Sequence, residues 1–363
     1  LISIIFNLCF IGIYALGFYL LNGLNASDPQ IGSLISNVAV VAQYSLQIMQ
    51  SFMMLAMIFV MLPQASACSR RISEVLDIKD NEQINTVDEK EYEKFKNKTQ
   101  RGVLSFNNVT FTYPDSDTPC IENISFTTKP GKMLAIIGST GAGKSTVINL
   151  IPRFYDATEG SITLDGVDIR KIPIKDLRDA IGFVPQKAVL FKGTIKDNIR
   201  FGKKDATDQE INDALSVAQT EHFISKLPKG LDSFVSQGGK NFSGGQKQRL
   251  AIARALVKKP EIYVFDDSFS ALDFKTDAKL RAALKTYIGD STMIVVAQRV
   301  SSILDADTIV VLNEGKMVGI GNHEELLKSC PVYQDIVKSQ LDPDEVEKTL
   351  KMARDAKSEA KRS

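Results

Sequence analysis

Residues 138–145 read Gly-Ser-Thr-Gly-Ala-Gly-Lys-Ser and satisfy the pattern G-x-x-x-x-G-K-[ST] in full. A loop of this make-up is a phosphate cradle. Gly138, Gly141 and Gly143 let backbone N–H groups close around phosphate oxygens, and Ser139, Thr140 and Ala142 complete the loop. Lys144 offers a cation to the β- and γ-phosphates, and Ser145 offers a hydroxyl oxygen to Mg²⁺. Thr146 then opens a helix over 146–150, whose positive N-terminus favours the bound anion.

Two further groups of residues suit the same chemistry. The run Glu261-Ile262-Tyr263-Val264-Phe265 ends in Asp266-Asp267. Carboxylates there stand at the carboxyl edge of a parallel sheet, where open sheets of this kind bind ligands, so Asp266 is a candidate Mg²⁺ partner. Phe242-Ser243-Gly244-Gly245-Gln246 precedes a helical stripe of Leu250, Ile252, Ala253, Leu256 and Val257. Ser243 and two glycines ahead of a helix make a second anion site. The chain's own loop already serves one phosphate, so the surplus site suits phosphate delivered by another chain.

Such residues need a sheet with helices packed against it. The run 133–137 (MLAII) is a buried strand entering the cradle, and 103–113, 123–128 and 292–297 carry strand-type residues. The soluble domain is expected over 101–341, after a charged linker at 76–100. The chain before it is of a different kind. Among the first 69 residues only Asp28 is charged, against 15 of the next 29. Residues 1–21 form one membrane-length apolar stretch, since about 20 helical residues cross a hydrocarbon core. The Asn-, Gly- and Pro-containing segment 22–30 reverses the chain. A second uncharged stretch, 31–69, is about twice the crossing length, so a span over about 31–62 is expected to continue as one helix into the cytoplasm, where Arg70 and Arg71 mark the inner side. The start at Leu1, without a basic leader, reads as the tail of a longer membrane domain.

Composition narrows the classes. With 44 Lys and Arg against 43 Asp and Glu, the net charge of +1 gives no field to attract nucleic acid. Cys9, Cys68, Cys120 and Cys330 form no CxxC pair and read as reduced packing residues, not a metal site. His222 and His323 read as surface residues, with Asn322 and Glu325 as a capping box. The charged tail 342–363 carries no assignable function.

In their order along the chain these motifs resemble the ATP-binding cassette (ABC) family, in particular exporters whose membrane domain precedes the nucleotide domain in one chain. GSTGAGKS resembles Walker A, FVPQ with Gln186 the Q-loop, FSGGQ the signature, IYVFDD the Walker B region, SALD at 270–273 the D-loop, and VVAQR the switch region. Tyr113 resembles the aromatic that stacks on adenine, and Gln237 in VSQGG stands where such exporters usually carry Glu. The resemblance implies an α-helical membrane segment, here two C-terminal spans of a longer bundle, followed by an α/β P-loop ATPase domain with an antiparallel β subdomain and a helical subdomain. It also implies ATP and Mg²⁺, the latter held by Ser145, Gln186 and Asp266, and a partner half-transporter whose nucleotide meets Ser243, Gly244, Gly245 and Gln246.

Two positions depart from the family pattern. Asp267 stands where the family has the Glu that polarises the attacking water, and Gln298 stands where it has the switch His. An amide can hydrogen-bond a γ-phosphate but cannot titrate. With an intact signature, the pattern resembles the subunit of a heterodimeric multidrug exporter whose own Walker site is degenerate and whose signature completes the partner's site. A hydrophobic small molecule is the implied cargo and the lipid bilayer the implied surroundings. A homodimer with two slow sites, a membrane-tethered ATP sensor and a soluble ABC ATPase are the competing readings, and the two apolar stretches weigh against the last.

Overall fold

The computed structural model describes residues 2–24, 29–77, 88–99 and 101–341. The tail 342–363 lies outside the described residues. The chain divides into two compact units, Leu1–Gln83 and Ile84–Ser363.

The first unit contains α1 (Ile2–Asn22) and α2 (Gln30–Leu76). Both are long and apolar enough to cross a membrane. At 1.5 Å per residue the 47 residues of α2 reach about 70 Å, so the helix outlasts any hydrocarbon core and runs through Arg70 and Arg71. Phe18, Phe52, Met54 and Phe59 are each 66–70% exposed, an apolar surface that only lipid or further helices can cover. The two helices meet at Gly17, where a Cβ would come within 2.8 Å of Val38 Cγ2; a glycine there lets the backbones approach. Pro63 lies inside α2 near the end of the expected span, and its missing N–H leaves the carbonyl four residues earlier without its helical donor.

The second unit begins with α3 (Glu89–Lys96), followed by β1 (Leu104–Phe111), β2 (Ile121–Thr127), β3 (Met133–Gly138), α4 (Lys144–Leu150), β4 (Glu159–Leu164), β5 (Val167–Asp168), α5 (Ile174–Asp179) and β6 (Ile181–Val184). A helical region follows, with β7 (Gly193–Thr194), α6 (Ile195–Arg200), α7 (Asp208–Val217), α8 (Glu221–Ile224), β8 (Phe234–Val235) and α9 (Gly244–Leu256). The chain then returns through β9 (Ile262–Asp266), α10 (Phe274–Ile288), β10 (Thr292–Val296), β11 (Thr308–Asn313), β12 (Lys316–Gly321), α11 (His323–Ser329) and α12 (Pro331–Lys338).

Ten strands form one sheet in the order β5-β4-β1-β2-β12-β11-β3-β10-β9-β6. The run β11-β3-β10-β9-β6 is parallel, whereas β2-β1-β4-β5 is antiparallel. The parallel strands are apolar on both faces because both are covered. With side chains alternating along a strand, Ala135, Ile137, Phe265 and Val295 enter the core under α9 and α10, and Leu134, Ile136, Val264 and Ile294 enter the core shared with α4 and the antiparallel strands.

Three sequence readings change. Residues 89–96, read as linker, form α3, because Phe95 is buried in the second core and Tyr92 packs beside it. Asp88 caps this helix, accepting from the Lys90 N–H, and the Tyr92 hydroxyl donates to Asp176. His323 is not a surface residue but 1% exposed at the start of α11, with Nδ1 2.7 Å from the Tyr333 hydroxyl; burial lowers its pKa. Of the cysteines, Cys330 is buried and Cys120 half-buried, whereas Cys9 and Cys68 are exposed.

The entry to the second unit is tied by Lys98. Its ammonium bridges Asp165, at 2.7 Å, and Glu261 and lies 3.9 Å from the Phe95 ring centroid. Asp165 Oδ1 also accepts the Val103 N–H at 2.7 Å. Removing one partner of such a buried group leaves an uncompensated charge. Lys98→Ala is therefore expected to destabilise the second unit by about 3 kcal/mol, read as a lower midpoint in urea unfolding.

Candidate nucleotide site

The cradle is shaped by backbone crowding. β3 ends at Gly138, where a Cβ would lie 2.2 Å from the Leu312 carbonyl oxygen on β11, so only glycine fits. Gly143, with φ of 90°, starts α4 without a capping side chain, which leaves first-turn N–H groups for a ligand. Ser139, Thr140 and Gly141 are exposed and Ala142 is buried. The half-buried Lys144 donates to the Gly138 and Ser139 carbonyls at 2.8 and 2.6 Å, so its ammonium rests on the loop itself. Thr146 is buried, with its hydroxyl 3.1 Å from the Tyr113 hydroxyl and 3.2 Å from Cys120 Sγ. The Tyr113 ring stands edge-on to Phe111 and Tyr155, at interplanar angles of 79° and 82°.

Asp266 ends β9 and Asp267 follows it, at 9% and 8% exposure. Burial, and then the neighbouring Asp267, push the Asp266 carboxyl above its ordinary range, against a hydrogen bond from Ser145 and the Lys144 charge. Burial likewise lowers the Lys144 pKa, opposed by Asp267 and Asp266. Asp267 has φ of 44°, a left-handed conformation that Asp tolerates better than most residues. Its N–H donates to the Val296 carbonyl at 3.0 Å, and Gln186 Nε2 donates to its Oδ2 at 3.3 Å. Ser145, Asp266 and Gln186 offer only oxygen to a metal, a hard donor set that suits Mg²⁺. No cluster of three or more His, Cys, Asp or Glu that could hold a metal occurs among the described residues. A divalent ion here would thus take the rest of its shell from water and phosphate.

At the signature, Ser243 caps the 13-residue α9 through a full capping box: its hydroxyl accepts the Gln246 N–H at 3.3 Å, and Gln246 Oε1 accepts the Ser243 N–H at 2.9 Å. Ser243 and Gly244 are exposed. A Cβ at Gly244 would meet nothing within 4 Å, whereas one at Gly245 would lie 3.1 Å from the Ala271 carbonyl. Gln298 is exposed just past β10. Gln237 is also exposed.

Sequence reasoning missed the ties between these groups. Gln248, 2% exposed on α9, donates to the Pro185 carbonyl at 3.0 Å, next to Gln186. The fully buried Ser268 donates to the Val184 carbonyl at 3.0 Å, joining the ends of β9 and β6. The available signal for Gln248 was its i, i+4 spacing with Ile252 and Leu256, which sets a polar residue in the apolar stripe.

The raised pKa of Asp266 means that the unfolded chain releases this proton more readily than the folded one. Stability is therefore lost as pH rises from the ordinary value of 3.8 through the folded value, and stays lost above it. Asp266→Asn removes that cost. The melting temperature of the nucleotide-free protein at neutral pH should rise, with the gain vanishing below pH of about 4. Mg²⁺-dependent nucleotide binding should fall in the same variant, as titrations with and without the metal would read.

Residues 121–270 match the family model for the ABC transporter. The chain is 45% identical over 320 residues to an uncharacterized ABC transporter ATP-binding protein of Mycobacterium tuberculosis, covering 87% of this chain and 53% of the relative. It is 38% identical over 340 residues to the uncharacterized ABC transporter ATP-binding protein YfiB of Bacillus subtilis, covering 93% and 56%. The chain thus spans about half the length of the curated relatives it matches. Among solved structures, a bacterial Atm1-family ABC exporter with ATP bound superposes with a TM-score of 0.73 at 34% identity, over 94% of this chain and 58% of that one. The motif order, the curled sheet with its P-loop and these matches agree: the chain belongs to the ABC transporter family, in the exporter-type arrangement of a helical membrane segment followed by an ATPase domain.

Proposed function

We propose that this chain is one half of an ATP-driven exporter of hydrophobic compounds, drugs or lipids, working beside a second half-transporter of different sequence. α1 and α2 belong to its membrane domain, and the positive residues Arg70 and Arg71 set the ATPase domain on the cytoplasmic side. Residues 138–146 bind the ATP phosphates, Lys144 leaves its carbonyl partners for the β- and γ-phosphates, and Tyr113 stacks on adenine. Ser145, Gln186 and Asp266 would hold Mg²⁺, which neutralises phosphate charge when bound.

The observation that carries the dimer reading is the start of α9. The Ser243 hydroxyl oxygen caps the helix yet keeps its own proton for an incoming acceptor, and Gly244 stands exposed in open space. An anion can therefore approach the positive helix end from outside the chain, as a phosphate on a partner's Walker A would. At this chain's own loop, Asp267 is one methylene shorter than Glu and so sits roughly 1 Å back from a water at the γ-phosphate, a displacement worth about 100-fold in rate. Gln298 orients the γ-phosphate without exchanging a proton. The own site thus binds and holds ATP, and the signature serves the partner's hydrolytic site.

Gly244→Asp adds a carboxylate where the chain has room for it, so folding and ATP binding at the own loop should persist. ATPase activity of the assembly should fall on the order of 100- to 1,000-fold, and full turnover with binding intact would overturn the trans arrangement. Asp267→Glu combined with Gln298→His should raise turnover at the own site, measured with the partner's competent site disabled. A single type of chain in the purified active assembly would favour the slow homodimer instead.

A further inference from the structure

Gln298 leaves the sheet at the point where backbone support changes hands. Sheet pairing extends to Ala297, whose N–H donates to the Ile136 carbonyl at 3.1 Å. Beyond it the loop is held by two side chains from distant segments. Gln340, two residues past the end of α12, accepts the Val300 N–H with Oε1 at 2.8 Å and donates from Nε2 to the Gln298 carbonyl at 2.8 Å. Arg281 on α10 donates from Nη1 to the Ser301 carbonyl at 3.2 Å, with its other guanidinium nitrogens held by Asp277.

The Gln340 contacts have the form of a strand partner. In extended backbone the C=O of one residue and the N–H of the residue two places on point to the same side, and Arg299, between them, is extended at φ −100° and ψ 127°. A single primary amide satisfies both groups at once. Val300 and Ser302 are buried, so the loop is anchored just beyond the clamp and the Gln298 side chain projects from a backbone fixed on both sides.

We infer that Gln340 is a positioning residue for Gln298: it fixes the backbone from which the Gln298 amide reaches the γ-phosphate, and so ties the segment after α12 to the discrimination of ATP from ADP at this chain's own loop. The inference rests on the reading of Gln298 as the γ-phosphate contact. A residue that merely supports the fold would weaken both nucleotides together, whereas a positioning residue for the γ-phosphate contact weakens the triphosphate alone.

The test is calorimetric titration of the full chain in detergent micelles with Mg²⁺ and either the non-hydrolysable triphosphate AMP-PNP or ADP. Gln340→Ala should lower AMP-PNP affinity roughly 3- to 10-fold with ADP affinity unchanged. Gln340→Glu, which keeps the acceptor but turns a carboxylate on the Gln298 carbonyl, should do at least as much, and Gln340→Met keeps the length of the side chain should the alanine variant fail to fold. Gln298→Ala should lose triphosphate preference by itself, and adding Gln340→Ala to it should cost nothing more. Unchanged AMP-PNP affinity in the Gln340 variants beside a loss in Gln298→Ala, multiplying losses, or a parallel fall for ADP would each overturn the positioning role and leave the γ-phosphate reading standing. Unchanged preference in Gln298→Ala would overturn that reading, and the positioning role with it.

Discussion

The site depends on one constraint of register. β10 lies between β3 and β9, with Val296 opposite both Ile136 and Asp266, and β6 adds Val184 opposite Phe265. Four parallel strands therefore end in line, and the segments that leave that line carry the cradle, the paired carboxylates, Gln186 and Gln298. Parallel strands cannot be joined by tight turns, so each return runs through a crossover with a helix, which is why residues separated by up to 160 positions share one edge. A slip of one residue in β9 would send Asp266 to the opposite face. The carbonyl of Leu312 limits the edge further, because it admits only glycine at residue 138.

Charge at that edge is poised away from its ordinary forms. Burial pushes the Asp266 carboxyl up and the Lys144 ammonium down, while both stand near opposite charge. The ammonium is satisfied by two loop carbonyls and Asp266 by the Ser145 hydroxyl. These neutral partners are weaker than charged ones, so on the proposed reading each gives way to a phosphate oxygen or a divalent cation. Cradle, lysine and carboxylate thus form a site whose internal bonds hold it open in shape while leaving the stronger contacts for a ligand.

Legibility in the sequence followed the range of the interaction. The strand entering the glycine-rich loop, the helix after Ser243 and the capping box at Asn322 are written within a few residues, and the structure has them as expected; that Ser243 and Gln246 also form a capping box is seen only in the structure. α3 was obscured because six of its eight residues are charged, and only Tyr92 and Phe95, three apart, mark its apolar side. His323 was misread because its partner Tyr333 comes from the next helix. The Lys98 tie spans 163 positions to Glu261 and the Gln340 clamp 42 to Gln298. No local pattern announces contacts of that reach, since they exist only once the sheet order is set.

On the proposed reading, the backbone at Asp267 accounts for how the own site and the signature diverge in one chain. Its backbone is in the left-handed region at φ 44°, where a short polar side chain is favoured because it can bond locally. Its carbonyl accepts the Ser270 hydroxyl at 2.8 Å and its N–H is fixed by Val296, so the conformation is imposed by the strand end and the following turn. Asp fits that backbone with less strain than Glu but draws the carboxylate back. On the proposed reading, a loop that needs only to bind and hold ATP has no demand for the longer side chain, and the less strained residue can remain. On the same reading the signature has no such freedom, because its helix start receives a phosphate that this chain does not carry.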